Sequence, residues 1–198
     1  LHLLSRRQRQ MCIRDSLYMY NMGNVILQVT QNCNLRCEYC VYSGSYINRV
    51  HTNKRMSFET AVKTIDFLAA HSLNCNEVSI GFYGGEPLLE IELIKKAVSY
   101  AKEVFGEKKV NFNMTTNATL LNMDIADFLV QNDFNITISL DGPRNIHNKN
   151  RIFANSNKGT FDLIMENIAL IREKYPFFDK KISCLLYTSP SPRDRSVS

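Results

Sequence analysis

Apolar residues recur along this chain at two alternating spacings. Over 134–140, Phe134, Ile136, Ile138 and Leu140 alternate with Asn135, Thr137 and Ser139, and Asp141 continues the polar series. That is the period of a strand with one greasy and one polar face. Val110, Phe112 and Met114 oppose Asn111, Asn113, Thr115 and Asn117 in the same way, as Val78, Ile80 and Phe82 oppose Ser79, Gly81 and Tyr83. Between these stretches the spacing becomes helical. Phe58, Ala61, Val62, Ile65 and Leu68 make one stripe, with Ser57 suited to the N-cap and Glu59 to the first turn. The pattern predicts strands over 25–30, 77–83, 109–116 and 134–140, and helices over 57–71, 87–105, 123–133 and 161–175. Pro87 suits the first position of the second helix, Gly106 lies past its end, and Pro176 stops the fourth helix. A fifth strand begins at 180–183, and the longest loop is expected over 142–159.

Strand and helix alternate four times, which predicts an α/β fold with parallel strands. An antiparallel sheet with one wet face would alternate similarly, but connections that hold whole helices argue against it. Parallel strands covered on both faces read as continuous aliphatic runs, and a packed barrel interior is filled with branched aliphatics. Here only one face is apolar. That face is expected to meet the helices, and the polar face to line an open cavity able to hold a ligand.

The chain has 198 residues, 44% hydrophobic and 22% charged, enough for one domain with a real core. No apolar run approaches the length of a membrane span and no signal peptide is visible, so the expectation is a cytoplasmic protein with no membrane partner. The net charge of +5 invites a search for an acidic partner. The ends remove that invitation. Residues 6–15 and 184–194 lack both periods and read as translations of a transposase-type sequencing-library adapter. Residues 1–16 and 184–198 are therefore expected to be non-native tails around a domain over 17–183. Those tails hold six arginines, Arg6, Arg7, Arg9, Arg14, Arg193 and Arg195, against Asp15 and Asp194, which accounts for four of the five net charges. No nucleic-acid partner is expected.

Of six cysteines, Cys12 and Cys184 fall in the tails, and Cys75 reads as an inert, partly buried thiol. Cys33, Cys37 and Cys40 are clustered directly after the first strand, at the end where α/β sheets keep their active sites. The clustering does not suit a disulfide framework. Zinc sites usually pair two separated cysteine couples, so zinc would need a fourth ligand such as His51. A 4Fe-4S cluster usually takes four thiolates, and with three it keeps one open iron position for a substrate or cofactor. His51, His71 and His147 are scattered and read as surface or loop residues.

The stretch 33–40, CNLRCEYC, resembles the C-x3-C-x2-C pattern of radical SAM enzymes, with Tyr39 as the aromatic before the last cysteine. YGGEP at 83–87 resembles the GGE motif after the family's second strand. TTNATLL at 115–121 resembles the T-N-G segment after the third, with Ala118 in place of glycine. ISLDGPRNIHNKNR at 138–151 resembles the fourth-strand segment of peptide- and protein-modifying members, including anaerobic sulfatase maturases.

The resemblance implies an incomplete (β/α)6 partial barrel, of which about four and a half βα units are present. It implies a 4Fe-4S cluster on Cys33, Cys37 and Cys40. It also implies S-adenosylmethionine held by Tyr39, Gly84, Gly85, Glu86, Thr116, Asn117, Ser139, Asp141 and Arg151. The activity implied is reductive cleavage of S-adenosylmethionine to a deoxyadenosyl radical that abstracts hydrogen from a peptide or protein, with an electron donor such as ferredoxin or flavodoxin. The segment at 138–151 points to the branch with a SPASM extension, so the chain is expected to be an N-terminal fragment that does not itself turn over. A small-molecule radical SAM enzyme and a zinc-binding interaction module are the rival readings. The resemblance leaves the radical-side catalytic residue unassigned.

Overall fold

A computed structural model describes residues 20–40 and 51–186. Five strands, β1 (Asn24–Thr30), β2 (Glu77–Gly84), β3 (Lys109–Thr116), β4 (Asn135–Leu140) and β5 (Ile182–Leu186), form one parallel sheet in sequence order. Five α-helices connect them: α1 (Phe58–His71), α2 (Ile91–Phe105), α3 (Met123–Gln131), α4 (Arg144–Asn150) and α5 (Phe161–Lys174). This is the parallel α/β sheet that the alternating pattern predicted, in the open, partial-barrel form that the resemblance implied.

The two faces of the sheet divide as the alternation requires. Val78, Ile80, Phe82, Phe112, Met114, Ile136 and Ile138 are buried, in one apolar core with Ile65 and Leu68 of α1, Ile94 and Val98 of α2, Leu129 of α3, and Ile164 and Ile168 of α5. Phe82, Phe112 and Phe134 stack across the core with ring centroids 5.4–6.4 Å apart. Ser79, Gly81, Tyr83, Asn113, Asn135 and Thr137 line a concavity of about 260 Å³ on the opposite face. Asn113 donates to Ser79 Oγ at 2.7 Å and accepts from Asn135 at 3.2 Å, so a polar ladder crosses three strands.

Three elements differ from expectation. The second predicted helix starts with a 3-10 turn over Pro87–Glu90, because Glu86 accepts both the Leu89 N–H through its carbonyl and the Leu88 N–H through its carboxylate. The predicted loop over 142–159 contains α4, which buries one residue only, His147, and so has no stripe to betray it. Finally, β5 runs on through Cys184 to Leu186, paired with Ile138 to Leu140 of β4, beyond the expected boundary at Ser183. A strand pairs through its backbone, and the ladder is indifferent to side-chain sequence. The remainder of both predicted tails lies outside the described residues.

The free edge of β1 is covered near its carboxyl end. Met56 N–H donates to Val29 O and Gln31 N–H to Lys54 O, both at 2.9 Å, around an antiparallel bridge between Thr30 and Arg55.

Candidate functional site

The cysteine loop leaves β1 at Thr30 and is held on three sides. Toward β2, Gly85 N–H donates to Thr30 O and Glu86 N–H to Asn32 O, each at 2.9 Å. This approach is so close that a Cβ on Gly84 would lie 2.2 Å from Thr30 O, and one on Gly85 2.1 Å from Asn32 O. Both glycines are therefore fixed by backbone contact, Gly84 with φ at 148° in addition. Toward β3, Asn34 donates to Thr119 Oγ1 at 2.8 Å and accepts from Asn117 Nδ2 at 2.9 Å. Beyond β4, Arg36 N–H donates to Ile152 O and Ala154 N–H to Asn34 O, both at 2.9 Å.

Glu86 is fully buried. Its Oε1 accepts from Leu88 N–H at 3.0 Å and Thr116 Oγ1 at 2.7 Å, and its Oε2 from Asn117 N–H at 2.8 Å. Burial pushes its carboxyl up from the ordinary range, against the pull of these donors. Two of the expected cofactor contacts, Glu86 and Thr116, thus direct their polar atoms at each other, and the carboxylate fastens the end of β2 to the end of β3.

The third group lies after β4. Asp141 is buried and its carboxylate takes Arg151 Nε at 2.9 Å and Tyr39 Oη at 2.5 Å. The Arg151 guanidinium stands 5.5 Å from the centre of the Tyr39 ring. Asp141 N–H donates to His147 Nδ1 at 3.4 Å, which leaves the proton on Nε2 to donate to Thr160 Oγ1 at 2.8 Å; Thr160 in turn donates to the Arg151 carbonyl at 3.2 Å. His147 is completely buried, contrary to its expected place at the surface or in a loop. Burial and the Arg151 charge lower its pKa, so the neutral ring is favoured. Ser139 is buried one strand position before Leu140, on the Thr137 side of β4.

The cysteine loop, the Gly84–Glu86 turn, Thr116–Asn117, Asp141 and Arg151 therefore gather at the carboxyl ends of β1 to β4. Residues 27–186 match the radical SAM superfamily. The chain belongs to that superfamily. This radical SAM chain is 38% identical over 157 residues to an uncharacterised protein of Methanocaldococcus jannaschii, covering 79% of the chain and 51% of that protein. It is 35% identical over 156 residues to a cysteine-type anaerobic sulfatase-maturating enzyme of Clostridium novyi, covering 77% of the chain and 41% of the enzyme. The solved structure of native anSMEcpe with bound AdoMet superposes with a TM-score of 0.69 at 28% identity, over 83% of this chain and 43% of that one. The chain thus spans about half, or less, of the length of these relatives.

The superfamily implies an iron–sulfur cluster, and the donor chemistry here fits one. Three thiols share one loop. Cys33 Sγ accepts from Leu35 N–H at 3.4 Å and faces Asn117 Nδ2 at 3.8 Å, and the Arg151 charge pulls the Cys37 thiol down. Burial dominates both, however, pushing Cys33 up to about 12 and Cys37 up to about 11. Among the described residues no group of three cysteine, histidine or carboxylate side chains is already drawn together as for a metal ion, and the Cys33 thiol is within electrostatic reach of Cys37 and Cys40. Thr160, Asn34 and Thr119 escaped the sequence reading, and His147 was read as a surface or loop residue. His147 carries a signal as part of the 138–151 segment; the others carry no spacing signal.

Proposed function

We propose that this chain holds a 4Fe-4S cluster on Cys33, Cys37 and Cys40 and binds S-adenosylmethionine beside it, for hydrogen abstraction from a peptide or protein. The observation that carries this reading is the meeting of the cysteine loop with Gly84–Gly85, Asn117 and the Asp141–Arg151 pair on one rim. The chemistry such a cluster supplies when bound is one-electron reductive cleavage of S-adenosylmethionine, which gives a deoxyadenosyl radical.

The chain's own residues have distinct tasks in this reading. Arg151 spends Nε on Asp141, so its two Nη groups are what it can offer a carboxylate, such as that of S-adenosylmethionine. Asp141 also keeps Tyr39, which stands between Cys37 and Cys40 in the sequence, against the guanidinium. Ser139 offers a hydroxyl at the rim. Gly84 and Gly85 bring bare backbone to the same place, and Glu86 serves them from behind as a strut. The peptide substrate class is supported by the sulfatase-maturating relative and by a structure of anSMEcpe with AdoMet and Cp18Cys peptide. The concavity is lined by amide, hydroxyl and apolar groups without a charged side chain, which suits a neutral polar chain.

Anaerobic reconstitution with iron and sulfide tests the cluster. The chain is expected to turn brown and take up about four irons. Cys37→Ala should abolish uptake and Cys75→Ala should not. Undiminished iron in Cys37→Ala, or bound zinc and a colourless protein, would sink the proposal.

A further inference from the structure

Asn117 was expected among the S-adenosylmethionine contacts, yet its side chain is committed elsewhere. It is buried, and its backbone N–H is fixed by Glu86. Its Oδ1 accepts from Thr119 N–H at 3.0 Å and from Thr119 Oγ1 at 2.7 Å. Two donors on one side decide which end of the amide is oxygen, so the NH2 group must point the other way. There it meets Asn34 Oδ1 at 2.9 Å and Cys33 Sγ at 3.8 Å.

We propose that Asn117 is a tuning residue that donates an N–H···S hydrogen bond to Cys33 and so raises the reduction potential of the cluster bound there. The inference rests on the cluster reading above. Hydrogen bonds to cluster sulfurs withdraw electron density and favour the more negative, reduced state; second-shell donors of this kind are recognised levers on a metal site. Cys33 Sγ also takes Leu35 N–H at 3.4 Å, a backbone donor that no substitution at Leu35 other than proline removes. Among the described residues, Asn117 is therefore the side chain through which sequence can set the donor count at this sulfur. The linkage also gives Glu86 an indirect part: it holds the backbone of the residue that addresses the sulfur.

The test uses the full chain, reconstituted anaerobically without S-adenosylmethionine or substrate, and reads the midpoint potential by redox titration followed by electron paramagnetic resonance. Asn117→Asp keeps the acceptor for Thr119 and nearly the same shape but loses the donor and adds a charge. Asn117→Ser is neutral, keeps a short acceptor, and cannot reach the sulfur. Both variants are expected to titrate at more negative potential than the wild type, the aspartate further. A serine variant with the wild-type potential overturns the proposal. So does failure of both variants to hold iron while far-ultraviolet circular dichroism shows them folded, since Asn117 would then serve assembly and not potential. If the aspartate variant alone loses iron, the serine variant decides. A wild-type chain that takes up no iron overturns the cluster reading and this one with it, whereas unchanged potentials on intact clusters overturn this one alone.

Discussion

Ala118 shows how a single residue departs from the sequence pattern and what that costs. It stands where the related T-N-G segment has glycine, and its φ is 60°, in the left-handed region. That conformation costs an L-residue roughly 1–2 kcal/mol. The methyl group is fully buried and returns about 0.8 kcal/mol. Ala118→Gly is therefore expected to leave stability unchanged or raise it by up to about 1 kcal/mol, and Ala118→Val to lower it by more than the strain alone, about 2 kcal/mol or more, because a branched side chain must enter a packed turn. Urea unfolding measures both, and a destabilised glycine variant would show that the turn has relaxed around the alanine. At this scale the cysteines and glycines were legible because their neighbours are adjacent in sequence. The partners of the carboxylates were not. Asp141 meets Tyr39 across 102 positions, and Glu86 meets Thr116 across 30. Hydrogen bonds at such separations leave no periodicity.

Among the described elements, the long strands and helices declared themselves through apolar stripes, and α4 did not. Pro143 presets its entry with φ at −58°, and the Arg151 N–H closes it on the His147 carbonyl at 2.9 Å. Its anchor is a polar side chain, so hydrophobic periodicity had nothing to report. The same anchor makes the element sensitive to acid. His147 accepts the Asp141 N–H at Nδ1, and a second proton there would set two donors face to face. Its pKa in the folded state is below the ordinary value of 6.5, with burial and the Arg151 charge as causes and Asp141 opposing. The unfolded chain therefore binds the proton more readily, and this contribution to stability is complete above about pH 6.5 and is lost as pH falls below it. His147→Gln should be less stable at pH 7.5 by about 1–3 kcal/mol, through its broken buried bonds, but should lose less further stability than the wild type between pH 7.5 and 5.5. Parallel losses in the two proteins, measured by urea unfolding at both pH values, would remove His147 from the acid response.

The whole molecule is a sheet with two unlike faces, and neighbouring residues of one strand should report the difference. Ile136 is 2% exposed against the helices, whereas Thr137 lies on the concave side. Ile136→Ala is expected to cost roughly 2–5 kcal/mol and Thr137→Ala less than about 1 kcal/mol. Similar costs at both positions, read from thermal or urea unfolding, would mean that the concave face is packed as a second core. This division was legible in full from the alternation of Phe134 to Asp141. The gathering of four strand ends at one rim followed from parallel order. What the pattern could not supply is the stitching between those ends, because it consists of backbone amides and buried polar side chains such as Glu86, Asn117 and Asp141, whose identities are common in any loop.

The strap over β1 has a bearing on how another chain could meet this one. An extended segment attaches to a sheet most simply by lengthening it, lending its own amides to an unpaired border strand. Near the cysteines that border is already occupied, since Val29 O and Gln31 N–H are bonded to Met56 and Lys54. A visitor arriving beside Val29 to Gln31 finds that stretch of ladder already taken. It must be recognised by side chains, one contact at a time, and selectivity there is open to change by point substitution without rebuilding the sheet.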